Sequence, residues 1–379
     1  MAMMALKPPM GWNAWNYFGP GEICEKVIKE TADAMVDQGF LEAGYNILSI
    51  DDRWMSKERD ADGNLQADPE RFPSGMKAIG EYIHSKGLKY GLYEGAGVLT
   101  YAGQAGSFGY ERQDAKKFAE WEVDLLKYDF GYTTPGANEI NLFRRMGQAL
   151  RESGRDIIFS ACLGRREVAE WMKSCGANMW RLSGDITDSW ESIMNVINNA
   201  IGLEPYAAKG AWNDPDMMVV GLNGQGYVGR IGGGQGCTVN EYEAHFAVWC
   251  MLCAPLLMGH DVRNTTPEIK NILLNKELIA INQDDLGIVA YKMPHVSYIS
   301  DKDFILAKPL ANGDIAFCML NPRETAKEMI LAWDFCGWEV TDTVKMRDVL
   351  LHEDIGEFKN GMAYRVEPHS AKVFRATRL

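Results

Sequence analysis

The chain has 379 residues, of which 46% are hydrophobic, 52 are acidic and 39 are basic. This length can bury one large core and leave room for a smaller second domain. A net charge of −13 without a long block of like charges argues against nucleic acid or an anionic membrane as a partner, and favours a neutral ligand.

The first nine residues contain no basic region followed by a long apolar run, so we expect no signal peptide. No uninterrupted apolar run approaches membrane-spanning length, and the eight cysteines show no metal-type repeat. The C-x-x-C pair Cys250 and Cys253 lies in an apolar stretch, which favours core packing over a redox pair. These features predict a cytoplasmic protein, with secretion left open if the chain is a mature form.

Helical patterns alternate with short apolar runs along the first 290 residues, as in a parallel sheet built from βα units. A helix is predicted from Glu22 to Gln38, followed by a strand from Tyr45 to Ile50. A helix around 114–122 leads in the same way into a strand that ends at Asp129. The glycine-rich stretch 232–236 lacks the G-x-G-x-x-G pattern, so we interpret it as a loop without a phosphate cradle.

Polar residues follow the predicted strands at their C-terminal ends: Asp51-Asp52, Tyr93-Glu94, Asp129, Cys162, Asp185 and Asp214-Pro215-Asp216. In a (β/α)8 TIM barrel these ends form the face where catalytic groups from several strands meet. Any one of these acids could instead cap the following helix, but six coincidences are harder to explain in that way. We therefore predict a catalytic barrel over residues 1–291.

The helical pattern fades after residue 287, and the remaining chain carries strand-like runs. Asn312-Gly313 and Asn360-Gly361 lie between these runs, and Asn-Gly favours two-residue hairpins because both residues accept positive φ. We predict a small C-terminal antiparallel β-sandwich domain over residues 292–379.

Two short acidic motifs end apolar strand-like runs, namely Leu125-Leu126-Lys127-Tyr128-Asp129 and Trp180-Arg181-Leu182-Ser183-Gly184-Asp185. Hydrolysis of a glycosidic bond needs such a pair. One carboxylate is ionised to attack or stabilise a sugar cation, and the other stays protonated to donate to the departing oxygen.

With these residues in hand, the chain resembles glycoside hydrolase family 27, the α-galactosidases and α-N-acetylgalactosaminidases, over nearly its whole length. The resemblance rests on six motifs in this order: Pro9-Met10-Gly11-Trp12-Asn13-Ala14-Trp15-Asn16, Ile50-Asp51-Asp52-Arg53-Trp54, Lys127-Tyr128-Asp129, Trp180-Arg181-Leu182-Ser183-Gly184-Asp185, Trp212-Asn213-Asp214-Pro215-Asp216-Met217 and Ala280-Ile281-Asn282-Gln283-Asp284.

The resemblance implies a retaining hydrolase with Asp129 as nucleophile and Asp185 as general acid/base, their carboxyl groups roughly 5–5.5 Å apart. Lys127 points to the same strand face as Asp129. It could hold Asp129 ionised while it hydrogen-bonds the sugar, or it could form a structural bridge.

The same resemblance implies the binding residues of the pocket. Asp51 and Asp52 are expected to accept from O4 and O6 of a galactose-type ring, and Trp15 to form an apolar wall, although core packing is the ordinary role of a lone Trp. Tyr93, Arg181 and Asp216 are expected to complete the pocket.

The pattern breaks at the predicted fifth strand, where α-galactosidases usually have Cys-Glu-Trp and this chain has Cys162-Leu163-Gly164. The glutamate of that pattern receives the sugar 2-hydroxyl, and Leu163 cannot. Arg165 and Arg166 follow directly and either supply a replacement donor or are solvated surface.

Other departures replace cysteines that commonly form a disulfide near the active site. Tyr101 and the stretch 130–132 take such positions, and Arg53 occupies another frequent cysteine position. Glu94 and Gly95 stand where the family more often has a small residue followed by Asp. These losses agree with a reducing compartment, while Cys162 and Cys175 could still pair in an oxidising one.

We therefore expect a retaining exo-glycosidase that releases terminal α-linked galactose from a carbohydrate substrate without a metal or organic cofactor. A homo-oligomer is left open. The first alternative is the same mechanism on a galactose-configured analogue, either a 2-substituted galactoside such as an α-N-acetylgalactosaminide or a β-L-arabinopyranoside. The second alternative, an inactive sugar-binding protein, is disfavoured by the presence of both Asp129 and Asp185.

Overall fold

Eight parallel strands dominate the first three quarters of the chain. The structure is a computed structural model that describes residues 4–293 and 304–379. The strands are β1 Met10–Asn13, β2 Ile47–Ile50, β3 Lys89–Gly95, β4 Leu125–Asp129, β5 Ile158–Cys162, β6 Met179–Arg181, β7 Trp212–Asp214 and β8 Leu256–Met258. They pair in the order β7-β6-β5-β4-β3-β2-β1-β8, and a parallel bridge between Met218 and Met258 joins the segment after β7 to β8. The sheet is therefore a closed barrel, which confirms the predicted TIM-barrel class.

The helices of the described residues surround this sheet. They are α1 Trp15–Phe18, α2 Glu25–Asp37, α3 Gly75–Ser85, α4 Glu111–Glu120, α5 Glu139–Glu152, α6 Trp190–Ala200, α7 Gly226–Ile231, α8 Val239–Met251, α9 Pro267–Leu273 and α10 Lys276–Asn282. Helix α4 begins three residues before the predicted start, because Glu111 and Asp114 occupy a polar first turn that apolar periodicity does not reveal. The glycine-rich stretch 232–236 is a loop after α7, as predicted.

The C-terminal strands form two antiparallel sheets. They are β9 Tyr291–Lys292, β10 Phe304–Pro309, β11 Ile315–Asn321, β12 Lys327–Leu331, β13 Thr343–Asp348, β14 Glu353–Lys359, β15 Met362–Val366 and β16 Ser370–Arg378. The larger sheet has the order β14-β13-β16-β11-β10-β9, and β12 pairs with β15. The predicted antiparallel β-sandwich is confirmed. Part of its predicted range, residues 294–303, lies outside the described residues.

The two Asn-Gly sites differ from the predicted two-residue hairpins. Strands β10 and β11 do form a hairpin, but their last pair is Pro309 with Ile315, and only Gly313 has a positive φ, of 90°. Asn360 and Gly361 both have positive φ, yet they connect β14 to β15, which belong to different sheets. The local backbone prediction was right there, and the pairing was wrong because sheet membership is set by tertiary packing.

Helix α8 joins the two parts of the molecule. Ten of its thirteen residues are buried, as expected for a helix that is apolar on all sides and packed between layers. Leu306, Cys318 and Val373 of the larger C-terminal sheet belong to the same apolar core as the barrel. Ile305 and Phe317, one residue away on the same strands, point into the core between the two sheets.

Cys250, Cys253 and Cys318 are buried thiols of this region, and neither Cys250 nor Cys253 forms a disulfide, in agreement with core packing. Within residues 4–293 and 304–379, no helix combines the length and apolar character that crossing a bilayer requires.

Candidate active site

A pocket of about 650 Å³ opens at the C-terminal end of the barrel strands. All the residues that the sequence predicted for the site line it: Trp15, Asp51, Asp52, Tyr93, Lys127, Asp129, Leu163, Arg181, Asp185 and Asp216. They come from the ends of seven different strands, β1 to β7, or from the segments that directly follow them. The barrel thus brings together residues that lie up to 201 positions apart in sequence.

Asp129, the last residue of β4, is half-buried and accepts two hydrogen bonds. The Phe130 backbone N–H donates to it over 2.9 Å and the Tyr93 hydroxyl over 3.2 Å. Burial raises the pKa of Asp129 to about 6, and repulsion from Asp185 adds to this, while the Lys127 ammonium opposes it. The carboxyl group is therefore ionised at neutral pH and protonated below about pH 6.

Lys127 reaches the neighbouring carboxylate of Asp51, to which its Nζ donates over 2.8 Å. Burial works against the charged lysine, but the nearby carboxylates outweigh it and raise the pKa of Lys127, so the ammonium persists. Lys127 thus forms a structural bridge to Asp51, which is one of the two roles that the sequence left open for it. Its charge also lowers the pKa of Asp129. Burial of Asp129 is the larger effect, so Lys127 does not keep that carboxyl ionised in acid.

Asp51 and Asp52 follow β2 and are both buried at 2% and 1% exposure. The Asn13 side-chain amide donates to Asp51 over 2.7 Å. The Thr100 hydroxyl and the Ala102 N–H each donate to Asp52 over 2.8 Å. These bonds fix both carboxylates in the pocket wall and leave each with acceptor capacity for a ligand hydroxyl.

Arg181, the last residue of β6, is 4% exposed and holds two carboxylates. Its Nη2 lies 3.0 Å from Asp185 and 2.8 Å from Asp216. Asp216 also accepts from the N–H groups of Ile186 and Met217 over 2.8 and 2.7 Å, and it has a φ of 110°. A non-glycine residue in that region is strained, and such strain is typical of functional sites.

Asp185 has an environment opposite to that of Asp129. Its side chain is 73% exposed at the outer edge of the pocket. The Arg181 guanidinium is the main influence on it and lowers the pKa of Asp185 below its ordinary value. Both carboxyl groups are therefore ionised at neutral pH, and Asp185 must gain a proton before it can act as an acid.

Leu163 follows β5 and presents a half-buried apolar side chain to the pocket. Arg165 pairs with Glu139 of α5, and Arg166 donates to the Asn199 carbonyl near the end of α6. Neither arginine lines the pocket. The structure thus decides against a replacement donor from these two residues.

Aromatic side chains form the rim of the pocket. Trp15 packs edge-to-face on Tyr227, with ring centroids 5.4 Å apart. Tyr227, on α7, belongs to no motif and was missed by the sequence analysis. Its place depends on Gly19, where a Cβ would lie 2.5 Å from the Tyr227 ring, and only the folded chain reveals that contact.

Comparison with known proteins agrees with this geometry. The family model described as Alpha galactosidase A matches residues 7–284, and the model described as Alpha galactosidase C-terminal beta sandwich domain matches residues 304–376. Alpha-galactosidase 2 of Arabidopsis thaliana is 40% identical over 377 residues, which cover 99% of this chain and 90% of the relative.

Two further relatives extend the comparison. Alpha-galactosidase A of Homo sapiens is 37% identical over 341 residues, covering 85% of this chain and 75% of the relative. The crystal structure of alpha-galactosidase I from Mortierella vinacea is 32% identical and superposes with a TM-score of 0.91, covering 99% of this chain and 98% of that one. The chain therefore belongs to the α-galactosidase family, glycoside hydrolase family 27.

Proposed function

We propose that the protein is a retaining exo-glycosidase that releases terminal α-linked galactose from oligosaccharides or glycoconjugates by double displacement. The proposal rests on one observation above all. Asp129 and Asp185 share one pocket but have opposite environments, the first half-buried beside Lys127 and the second exposed beside Arg181. Two carboxyl groups with separate environments can take the separate roles of nucleophile and acid.

In the first step the ionised Asp129 attacks the anomeric carbon while Asp185 protonates the departing oxygen. The hydrogen bond from the Phe130 N–H fixes the orientation of the nucleophile. A bound sugar shields Asp185 from water, and this loss of hydration raises the pKa of Asp185. The carboxyl group can then hold the proton that it donates to the leaving oxygen. The step forms a galactosyl ester on Asp129 and releases the leaving group.

In the second step Asp185 takes a proton from water, which attacks the anomeric carbon and frees Asp129. Esterification removes the negative charge of Asp129, which repels Asp185 in the free enzyme. The pKa of Asp185 then falls again, as its role as a base requires.

Recognition of the sugar is assigned to the buried carboxylates and to the ammonium between them. Asp51 and Asp52 accept from the 4- and 6-hydroxyls, and Lys127 donates to the ring substituents that approach Asp51. Arg181 and Asp216 complete the pocket wall, and Tyr93 supports the nucleophile through its hydroxyl.

One feature favours a 2-substituted galactoside, such as an α-N-acetylgalactosaminide, as a second candidate. Leu163 gives the pocket an apolar surface at the position expected to receive the 2-substituent. A 2-acetamido group would suit such a surface better than a lone hydroxyl would.

A panel of aryl glycosides tests the proposal. The α-galactoside, the α-N-acetylgalactosaminide and the β-L-arabinopyranoside differ only at C2 or C6, and the highest kcat/KM identifies the substrate. The Asp129→Ala variant is the control, since turnover that survives it does not come from this pocket. Fastest turnover of the N-acetylgalactosaminide or the arabinopyranoside would replace galactose in the proposal, and no turnover of any member would favour a sugar-binding protein.

We further propose that the enzyme works in a reducing compartment. All eight cysteines have free thiols, and five of them are buried, including Cys162 and Cys175. So many cysteines without a disulfide are typical of a reducing compartment. Unchanged thermal stability on addition of a reducing agent is the expected result.

A further inference from the structure

Two exposed tyrosines form a pair beside the pocket, away from Trp15 and Tyr227. Tyr101 is 54% exposed and Tyr132 is 58% exposed, and their ring centroids lie 6.2 Å apart. Tyr101 lines the pocket, and Tyr132 extends the aromatic surface beyond it. Strands β3 and β7 stand four places apart in the eight-stranded barrel, so the loops after β3 and β4 that carry this pair lie opposite α7.

The pair is held in place by close contacts between its two loops. The Tyr101 hydroxyl donates to the Phe130 carbonyl over 2.9 Å, and the Val98 N–H donates to the Tyr132 carbonyl over 3.2 Å. A Cβ at Gly131 would lie 3.0 Å from the Tyr101 ring, so this ring rests directly on the backbone. The two rings are thus presented in a fixed arrangement before any ligand binds.

Tyr132 has a φ of 41°, which a bulky aromatic residue rarely adopts. A large ring that is mostly exposed on a strained backbone contributes little to the stability of the fold. The strain is therefore consistent with a binding role for the exposed ring.

The pair also lies on the side to which a leaving group must depart. Asp185 donates its proton to the leaving oxygen, and its 73% exposure places it at the outer edge of the pocket. Tyr101 lines the same pocket as Asp129 and Asp185. Burial raises the pKa of Tyr101 to about 12, and the charges of both carboxylates add to this, so the phenol stays neutral. A ring attached to the leaving oxygen would meet Tyr101 first and Tyr132 next.

We propose that Tyr101 and Tyr132 form the subsite for the pyranose ring of the leaving group. The apolar face of the sugar stacks on the aromatic surface, which supplies a large, rigid contact area. This inference rests on the glycosidase function proposed above and adds a preference for substrates whose leaving group is itself a sugar.

The test compares a substrate with a leaving-group ring and one without it. Melibiose carries a glucose ring as its leaving group, whereas α-galactosyl fluoride carries none. The variants are Tyr101→Ala, Tyr101→Phe and Tyr132→Asn, in which asparagine tolerates the left-handed backbone at position 132. Tyr206→Ala is the matched control, because Tyr206 is 37% exposed and precedes β7 at the opposite end of the barrel.

We expect Tyr101→Ala and Tyr132→Asn to lower the ratio of kcat/KM for melibiose to kcat/KM for the fluoride by about 3- to 10-fold each. Tyr101→Phe keeps the ring, so its ratio should stay near that of the wild type, as should that of Tyr206→Ala. An unchanged ratio in Tyr101→Ala and Tyr132→Asn would overturn the subsite.

A purely structural role gives a different pattern. If the tyrosines only tie the loops together, the Tyr101→Phe variant would behave like Tyr101→Ala, because both lose the hydrogen bond to Phe130. Their kcat/KM would then fall equally on melibiose and on the fluoride, and the proposal would be wrong. Fluoride hydrolysis by the wild type separates the two proposals, because its absence would overturn the glycosidase function itself and the subsite with it.

Discussion

At the scale of single residues, the proposed mechanism depends on the different burial of two carboxyl groups. Asp129 loses hydration inside the barrel, and this raises its pKa to about 6 although Lys127 is near. Asp185 stays in water beside Arg181, and its pKa is lowered. Asp129, the proposed nucleophile, is therefore ionised at neutral pH, whereas Asp185, the proposed acid, gains its proton when a substrate excludes water.

The first prediction concerns the pH dependence of the nucleophile. α-Galactosyl fluoride needs no proton for departure, so its kcat/KM should rise with pH through about 6 as Asp129 ionises. The Asp185→Asn variant removes a negative charge that repels the ionised Asp129, so the rising limb should move to lower pH. A limb that stays in place or moves to higher pH would show that Asp129 does not control it.

Asp185→Ala should lose activity in proportion to how poor the leaving group is. A nitrophenolate departs without a proton, but a sugar alkoxide does not. We expect a loss of about 10²-fold or more on melibiose and a much smaller loss of kcat/KM on an activated aryl galactoside. Equal losses on both substrates would remove Asp185 from the acid role and direct attention to Asp214 or Asp216.

The Leu163→Glu variant tests whether residue 163 faces the 2-position of the bound sugar. A carboxylate there accepts from a sugar 2-hydroxyl, and a hydrogen bond to a charged group contributes about 1.5–3 kcal/mol. The ratio of kcat/KM for the α-galactoside to that for its 2-acetamido analogue should therefore rise about 10-fold or more. If the ratio is constant or falls, Leu163 does not face the 2-position.

At the scale of elements, strands β10 and β11 are buried on both faces, and alternate residues serve two cores. Leu306 packs with the barrel, and its neighbour Ile305 packs between the C-terminal sheets. The larger C-terminal sheet therefore helps to support α8, and α8 in turn supports the barrel wall. Trp249 of this helix donates to the backbone carbonyl of Asp216 over 2.8 Å, which links the support to the site.

Leu306→Ala should lower the free energy of unfolding by about 2–5 kcal/mol, because it leaves a cavity at a position with no exposure. Ile330→Ala on β12 is the matched control, since Ile330 is 69% exposed and its loss should cost little. Urea unfolding followed by tryptophan fluorescence measures both. Similar unfolding midpoints for the two variants would contradict the shared core.

Local sequence patterns were sufficient to predict the strands that carry the candidate site residues. Asp51, Asp129 and Asp185 follow short apolar runs, and the ends of parallel strands must meet on one face of a barrel. The linkage at Asn360-Gly361 was not predictable, because two residues with positive φ fit a crossover between sheets as well as a hairpin. The raised pKa of Asp129 was also beyond the sequence, since it arises from burial that only the folded barrel creates.

At the scale of the whole molecule, polar contacts reinforce the apolar junction between the barrel and the C-terminal domain. Arg347 of β13 makes two bonds of 2.7 Å to Glu277 of α10. The buried Lys308 of β10 donates to the Ile288 carbonyl over 2.6 Å and lies 3.0 Å from the Cys253 sulfur. With one core running through both parts, we expect them to unfold together.

The central claim is that this pocket releases α-linked galactose with retention at the anomeric carbon. Proton NMR of the anomeric region during hydrolysis of an aryl α-galactoside tests it most directly, before mutarotation mixes the products. We expect α-galactopyranose to form first, since two displacements at Asp129 restore the starting configuration. Initial formation of β-galactopyranose would contradict the double displacement, and no release of galactose would contradict the function.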